Sequence, residues 1–334
     1  MILYRKGAPL RIRRAAAPEP PYWCATVIAP YGSRRAAPLA IDYLELRASA
    51  AEKLEVAVAD RVRDELERNA SRVEGPVLIE ATEVAEEVFG RGEEALAFCG
   101  EQGLGALQLV STRGALPAEV PQRAVIAISA WPLELYRLEP LFEEARGRGL
   151  RWGVAVPVIY PVTVNVTALE ELAAAAHGAA FLAPLALALE PTAKEAMARS
   201  LALDEESYAT LFHSDLEPLH LAAEKRLATL AAERGMADFI TPPGWERKSN
   251  WNASVLLTLT ASRMMAMQQD LDVATAMSRS ARIVAELDKP LERIAAAASL
   301  SIIEGLDETS IAILEAWLKG EESLADEISE QWRE

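Results

Sequence analysis

What most constrains this chain is an alternation that holds between Cys24 and Pro243. Short β-branched or apolar runs recur, and most are followed by a longer segment with helical spacing. The runs are "CATVIAP", "AIDYLEL", "PVLIEAT", "ALQLVST", "AVIAISA", "RWGVAVPVIY", "AAFLAPLAL" and "ADFITPP", about eight in all. Strands separated by helices pair side by side in one direction, because a parallel pair needs a long crossover between its members. The intervening segments carry ordinary helix signals. "SAAEKLEVAVADRVRDELERN" opens on Ser49 and sets Leu54, Val58, Val62 and Leu66 on one stripe. "LEPLFEEARGRGL" stops at Gly147 and Gly149. The expected fold is therefore α/β: a TIM-like parallel β/α barrel, complete or partial.

After the last run the pattern changes. Ala, Leu, Met, Glu and Arg dominate, and successive helices are expected, with Pro290 at a first turn and Asp307 as a cap. The expected division is an N-terminal extension over residues 1–38, a barrel over 39–251 and a helical C-terminal region over 252–334. The C-terminal helices could pack under the barrel or join two copies into a homo-oligomer.

Composition narrows the partners. The chain holds 50 acidic against 34 basic residues, a formal charge of −16, and such a surface repels phosphate backbones and anionic lipid. Neither nucleic acid nor a membrane is expected as a partner. No apolar run reaches the ~18 to 20 residues of a spanning helix, and a cytoplasmic location is expected. Cys24 and Cys99 give no disulfide framework or metal-ligand spacing, and both are expected to be small buried side chains.

Barrels of parallel strands present their chemistry at the carboxyl ends of the strands. The residues just past each run are thus the candidates. Catalytic roles fall to Glu80 and Glu83, three apart at the end of "LIEATE", where a carboxyl shielded by the barrel mouth could exchange protons. Thr82 as a cap with acidic first-turn neighbours accounts for the same residues structurally. Ser111, Thr112 and Arg113 end the next run, and Arg113 offers a planar fork for a carboxylate, although Ser-Thr-Arg-Gly is also an ordinary turn. Ser129 and Trp131 follow "AVIAI", and Tyr160 ends the "VPVIY" run.

The octet "WERKSNWN", Trp245 to Asn252, combines Arg247 and Lys248 with Asn250 and Asn252 ahead of a helix start, where amide groups and the helix dipole favour an anion. The competing account has Ser249 or Asn252 capping the helix, with the cations paired to acidic neighbours.

Of three histidines, His177 stands at a helix end, whereas His213, Asp215 and His220 lack the spacing of helical zinc sites, and no metal is assigned. Neither G-x-G-x-x-G nor G-x-x-x-x-G-K nor G-x-S-x-G occurs.

"LQLVSTRGAL" and "VIAISAWPLELYRLEPLFEEARGRGLRWGVAVPVIYPVTVN" resemble the third to fifth strands of the radical S-adenosylmethionine superfamily barrel, and the likeness runs from about Leu39 to Pro243. The resemblance implies a β/α barrel. The family's C-x-x-x-C-x-x-C loop has no counterpart here, and "EATE" stands where "GGEP" would hold the cofactor, so the iron–sulfur cluster has no thiolates and no cofactor is assigned. Two functions follow as expectations. One is a lyase or isomerase acting on a small anionic metabolite by general acid–base chemistry; the other is a catalytically silent barrel that binds a ligand or partner protein.

Overall fold

The computed structural model describes residues 28–30, 77–81, 92–103, 105–110, 114–130, 133–157, 165–185, 217–241, 243–245 and 248–334. Six strands form one sheet in chain order: β1 Ile28–Pro30, β2 Val77–Ala81, β3 Ala106–Val110, β4 Ala124–Ser129, β5 Trp152–Pro157 and β6 Leu182–Leu185. From β2 to β6 every neighbouring pair is parallel. Only β1 is antiparallel, on the outer side of β2, and Pro30 sits there at low cost because an edge strand needs fewer donors. Helices α1 Gly92–Glu101, α2 Leu135–Gly147, α3 Val166–Ala175 and α4 Glu217–Glu233 lie between or after these strands. The fold is mixed α/β, a parallel sheet with alternating helices followed by a helical C-terminal region. The expected strand "AIDYLEL" and the helix opening on Ser49 lie outside the described residues.

Both faces of the sheet are covered, which explains why its strands read as continuous apolar runs rather than alternating ones. Ile126, Ile128, Val154, Val156 and Leu182 face the helices, meeting Leu138 and Phe142 of α2, Leu172 of α3 and Leu227 of α4. Trp152 stacks on Phe142 with ring centroids 5.0 Å apart, filling the layer between sheet and helix. The opposite face carries Leu107, Val125, Ala127, Ala155, Phe181, Ala183 and Ile240. Space there is tight: a Cβ built on Gly153 would lie 2.5 Å from the Phe181 ring.

The run expected as a final strand, "ADFITPP", is corrected by the structure. Ala237 alone bridges to Phe181 in parallel sense, and the chain then turns away. Two features account for this. Asp238 is held by Arg263, and the two prolines at 242 and 243 have no amide to donate to a ladder. The segment crosses beneath the sheet instead, bringing Pro243 to 3.1 Å from the Cβ position of Gly105, just ahead of β3.

The C-terminal helices are α5 Asn250–Ala266, α6 Leu271–Ala285, α7 Leu291–Ala297, α8 Glu308–Lys319 and α9 Leu324–Arg333. The segment "PLERIAAAASLSIIEGL" divides at extended Ala298 into α7 and a 3₁₀ turn, Leu300–Ile302, capped by Ser299. Asp307 caps α8, accepting from Ser310 N at 2.9 Å. Leu257 and Ala261 of α5 pack on Met277 and Ala281 of α6 and on Ile313 and Leu314 of α8, so part of the apolar stripe of α8 is satisfied within the chain. The Asp238–Arg263 pair joins this bundle to the sheet. One Arg263 nitrogen donates to both carboxylate oxygens at 2.7 and 2.8 Å, and another donates to Ser329 of α9 at 2.9 Å.

No described helix is long and apolar enough to cross a membrane.

Candidate functional site

At the carboxyl ends of the strands, Ser129 closes β4. It is fully buried, and its hydroxyl has no hydrogen-bond partner among the described residues. Its register row continues through Ala155 and Ala183, two of the smallest side chains. One row deeper, Leu109, Ala127 and Gly153 align, and Glu80 occupies the β2 position of that row. Strand alternation puts Ser129 on the face of Ala127, away from the helices. Ser129 thus contributes a donor and an acceptor, unmet among the described residues, to a row of small buried residues, and an unmet hydroxyl in a buried position costs free energy unless something pairs with it.

The other candidates at this end are unevenly placed. Glu80 lies in β2, described as backbone only. Glu83, Ser111, Thr112, Arg113 and Tyr160, with Arg247 of the octet, lie outside the described residues.

The described part of the octet serves the chain's own backbone. Ser249 caps α5, accepting from Asn252 N at 3.1 Å. Asn252, 2 % exposed, donates to the carbonyls of Gly244 and Trp245 at 3.2 and 2.9 Å. Asn250, equally buried, donates to Lys289 O at 2.9 Å and accepts from Leu291 N at 2.7 Å, fixing the turn that starts α7. Lys248 donates to Trp317 O at 2.6 Å and to Leu318 O, with its ammonium 5.7 Å from the Trp317 ring centre. A cation on the final carbonyls of α8 satisfies groups that the helix leaves unpaired. Trp245 meets Phe239 edge to face at 4.9 Å.

The capping account of Ser249 is therefore what the structure displays. The octet also begins at the wrong end of the sheet for a shared opening with Glu80: Pro243 and Gly244 stand beside Ala124 and Arg151, at the amino ends of β4 and β5. The structure does not bring these groups together with Glu80.

Elsewhere, His177 is exposed just past α3, and Arg146 donates to its carbonyl at 3.2 Å. His213 and Asp215 lie outside the described residues, and of His220 only its backbone place in α4 is described. No group of three or more His, Cys, Asp or Glu suited to a metal occurs among the described residues. Burial pushes the Cys99 thiol up to about 12, so it is no thiolate nucleophile at neutral pH. Burial likewise raises the Glu224 carboxyl on α4 to about 7.

Sequence reasoning did not find the Asp238–Arg263 pair or the Arg123 and Arg151 pair at the amino rim. The latter had a visible signal, since each arginine stands immediately before a strand. No family model matches this chain, and no curated protein or solved structure matches it.

Proposed function

We propose that this chain is a barrel-type α/β protein that acts on a small anionic metabolite at the carboxyl ends of its parallel strands, by a lyase or isomerase step. In this reading Glu80 moves the proton, and Arg113 holds the anion with the hydroxyls of Ser111 and Thr112. The observation that carries it is the buried hydroxyl of Ser129, unpartnered among the described residues and in register with Ala155 and Ala183. Strand order supports it too, since barrels, including degenerate relatives of the radical S-adenosylmethionine barrel, run their parallel strands in unbroken chain order. Lys248, Asn250 and Asn252 are not part of this anion-holding set, because their polar atoms bond to the chain's own carbonyls and amides.

Screening small carboxylates and phosphate esters by thermal shift identifies the ligand, and exchange of its carbon-bound hydrogen with deuterium from solvent identifies the chemistry. The expected result is that Arg113→Gln abolishes the shift, while Glu80→Gln keeps it and loses the exchange. If no compound shifts the parent protein, or if Glu80→Gln exchanges as fast as the parent, the enzymatic reading fails.

A further inference from the structure

The 3₁₀ turn that follows α7 carries Ile302, which is 66 % exposed. A lone surface isoleucine would call for no explanation. This one, however, is held out by a turn that is fixed at several points. Ser299 caps it, accepting from Ser301 N at 3.2 Å, while Ile302 N donates to Ser299 O at 3.2 Å and Ile303 N to Leu300 O at 3.0 Å. Leu300, fully buried, and Ile303, partly so, root the turn in the core shared with α6 and α8. Gly305, at φ +89°, then runs against Ile283, whose Cδ1 lies 2.8 Å from the position a Cβ would take. Beside this knob, α7 shows its smallest residues to water. Ala296 and Ala297 are exposed, with the exposed Arg293 one turn earlier on the same face, whereas Ile294 and Ala295 pack partly on the core. Five residues separate Ala297 from Ile302, so the two lie within about 17 Å even along a fully extended chain. Glu304, two residues past the knob, is exposed as well.

We infer that this face joins two copies of the chain about a two-fold axis, with Ile302 of each copy seated on Ala296 and Ala297 of the other. A two-fold interface must be complementary to itself, because the same patch meets itself reversed. Small alanines leave room for the isoleucine, and Arg293 of one copy faces Glu304 of the other, twice over. That sign pattern favours a second copy over a foreign chain: a partner needs an anion and a cation flanking apolar groups in the same order, and this chain holds both. Ordering the turn beforehand lowers the entropic cost of docking. The apolar centre is small against the ~800 Å² that each partner buries in a stable complex, so the association is of the weak, reversible kind.

Sedimentation of the full chain, followed as its concentration rises to about 100 µM, reads the association. The parent is expected to pass reversibly from monomer to dimer. Ile302→Glu should weaken dimerisation at least tenfold and, in dilute solution, keep the parental melting temperature, since the position is exposed. Arg293→Glu and Glu304→Arg should each stay monomeric alone, because like charges then face each other across the axis. An equimolar mixture of those two variants should dimerise as the parent does, since both pairs again hold opposite signs. A parent that stays monomeric at every concentration overturns the proposal and leaves the face to another kind of partner. A dimer that Ile302→Glu leaves intact overturns it too, as does a mixture of the charge variants that fails to pair.

Discussion

Among the described residues, single side chains already divide into those that hold the fold and a few buried ones left without a partner, Ser129, Gln108, Thr241 and Trp251 among them. Asp238 and Arg263 are of the first kind, with side chains 4 % and 12 % exposed. Burial lowers the Arg263 pKa, and the Asp238 carboxylate opposes that shift. Arg263→Leu alone strands a buried carboxylate and is expected to cost about 3–5 kcal/mol in urea unfolding. Adding Asp238→Leu should recover most of that loss, and failure to recover would mean that the arginine acts through packing instead. Glu224 gives a pH signature. Its folded pKa of about 7 lies above the ordinary 4.5, so between those values the folded state keeps a proton that the unfolded chain has released. Stability from this group is full below pH 4.5, falls as pH rises to about 7 and stays lower beyond. Urea midpoints from pH 4 to 8 should show this decline, and Glu224→Gln should flatten it; an identical slope in the variant would assign the decline to other groups.

At the scale of elements, the strands and their order were legible because a sheet buried on both faces writes itself as β-branched runs, and "AVIAIS" is buried at every position. Helix starts at Ser249 and Asp307 were legible because capping is local chemistry. What was not legible depends on partners far along the chain. Asn250 reads the same whether it meets a metabolite or the backbone of Lys289 and Leu291, some forty residues on. The run "ADFITPP" has strand composition, yet Arg263 draws Asp238 out of line. Asn250→Ala is expected to destabilise by about 1–3 kcal/mol, because a buried amide at Leu291 loses its acceptor. Gly153→Ala should cost about 1–3 kcal/mol through collision with the Phe181 ring. Chemical denaturation measures both, and neutral variants would mean that these junctions relax.

For the whole molecule, two rims of one parallel sheet have different tasks. The amino rim is tied to the helical bundle through the segment that runs from Ala237 to α5, whereas the carboxyl rim carries a buried hydroxyl in register with alanines. Functional sites tend to be where a fold leaves a group unsatisfied at a cost in stability. Replacing Ser129 by alanine tests this most directly, read as the stability of the ligand-free protein together with its affinity for the stabilising metabolite. The expected result is a ligand-free protein more stable by about 1–2 kcal/mol, since a buried hydroxyl unpaired among the described residues is removed, and ligand binding weakened at least tenfold. A less stable variant that binds the metabolite as tightly as the parent would contradict it.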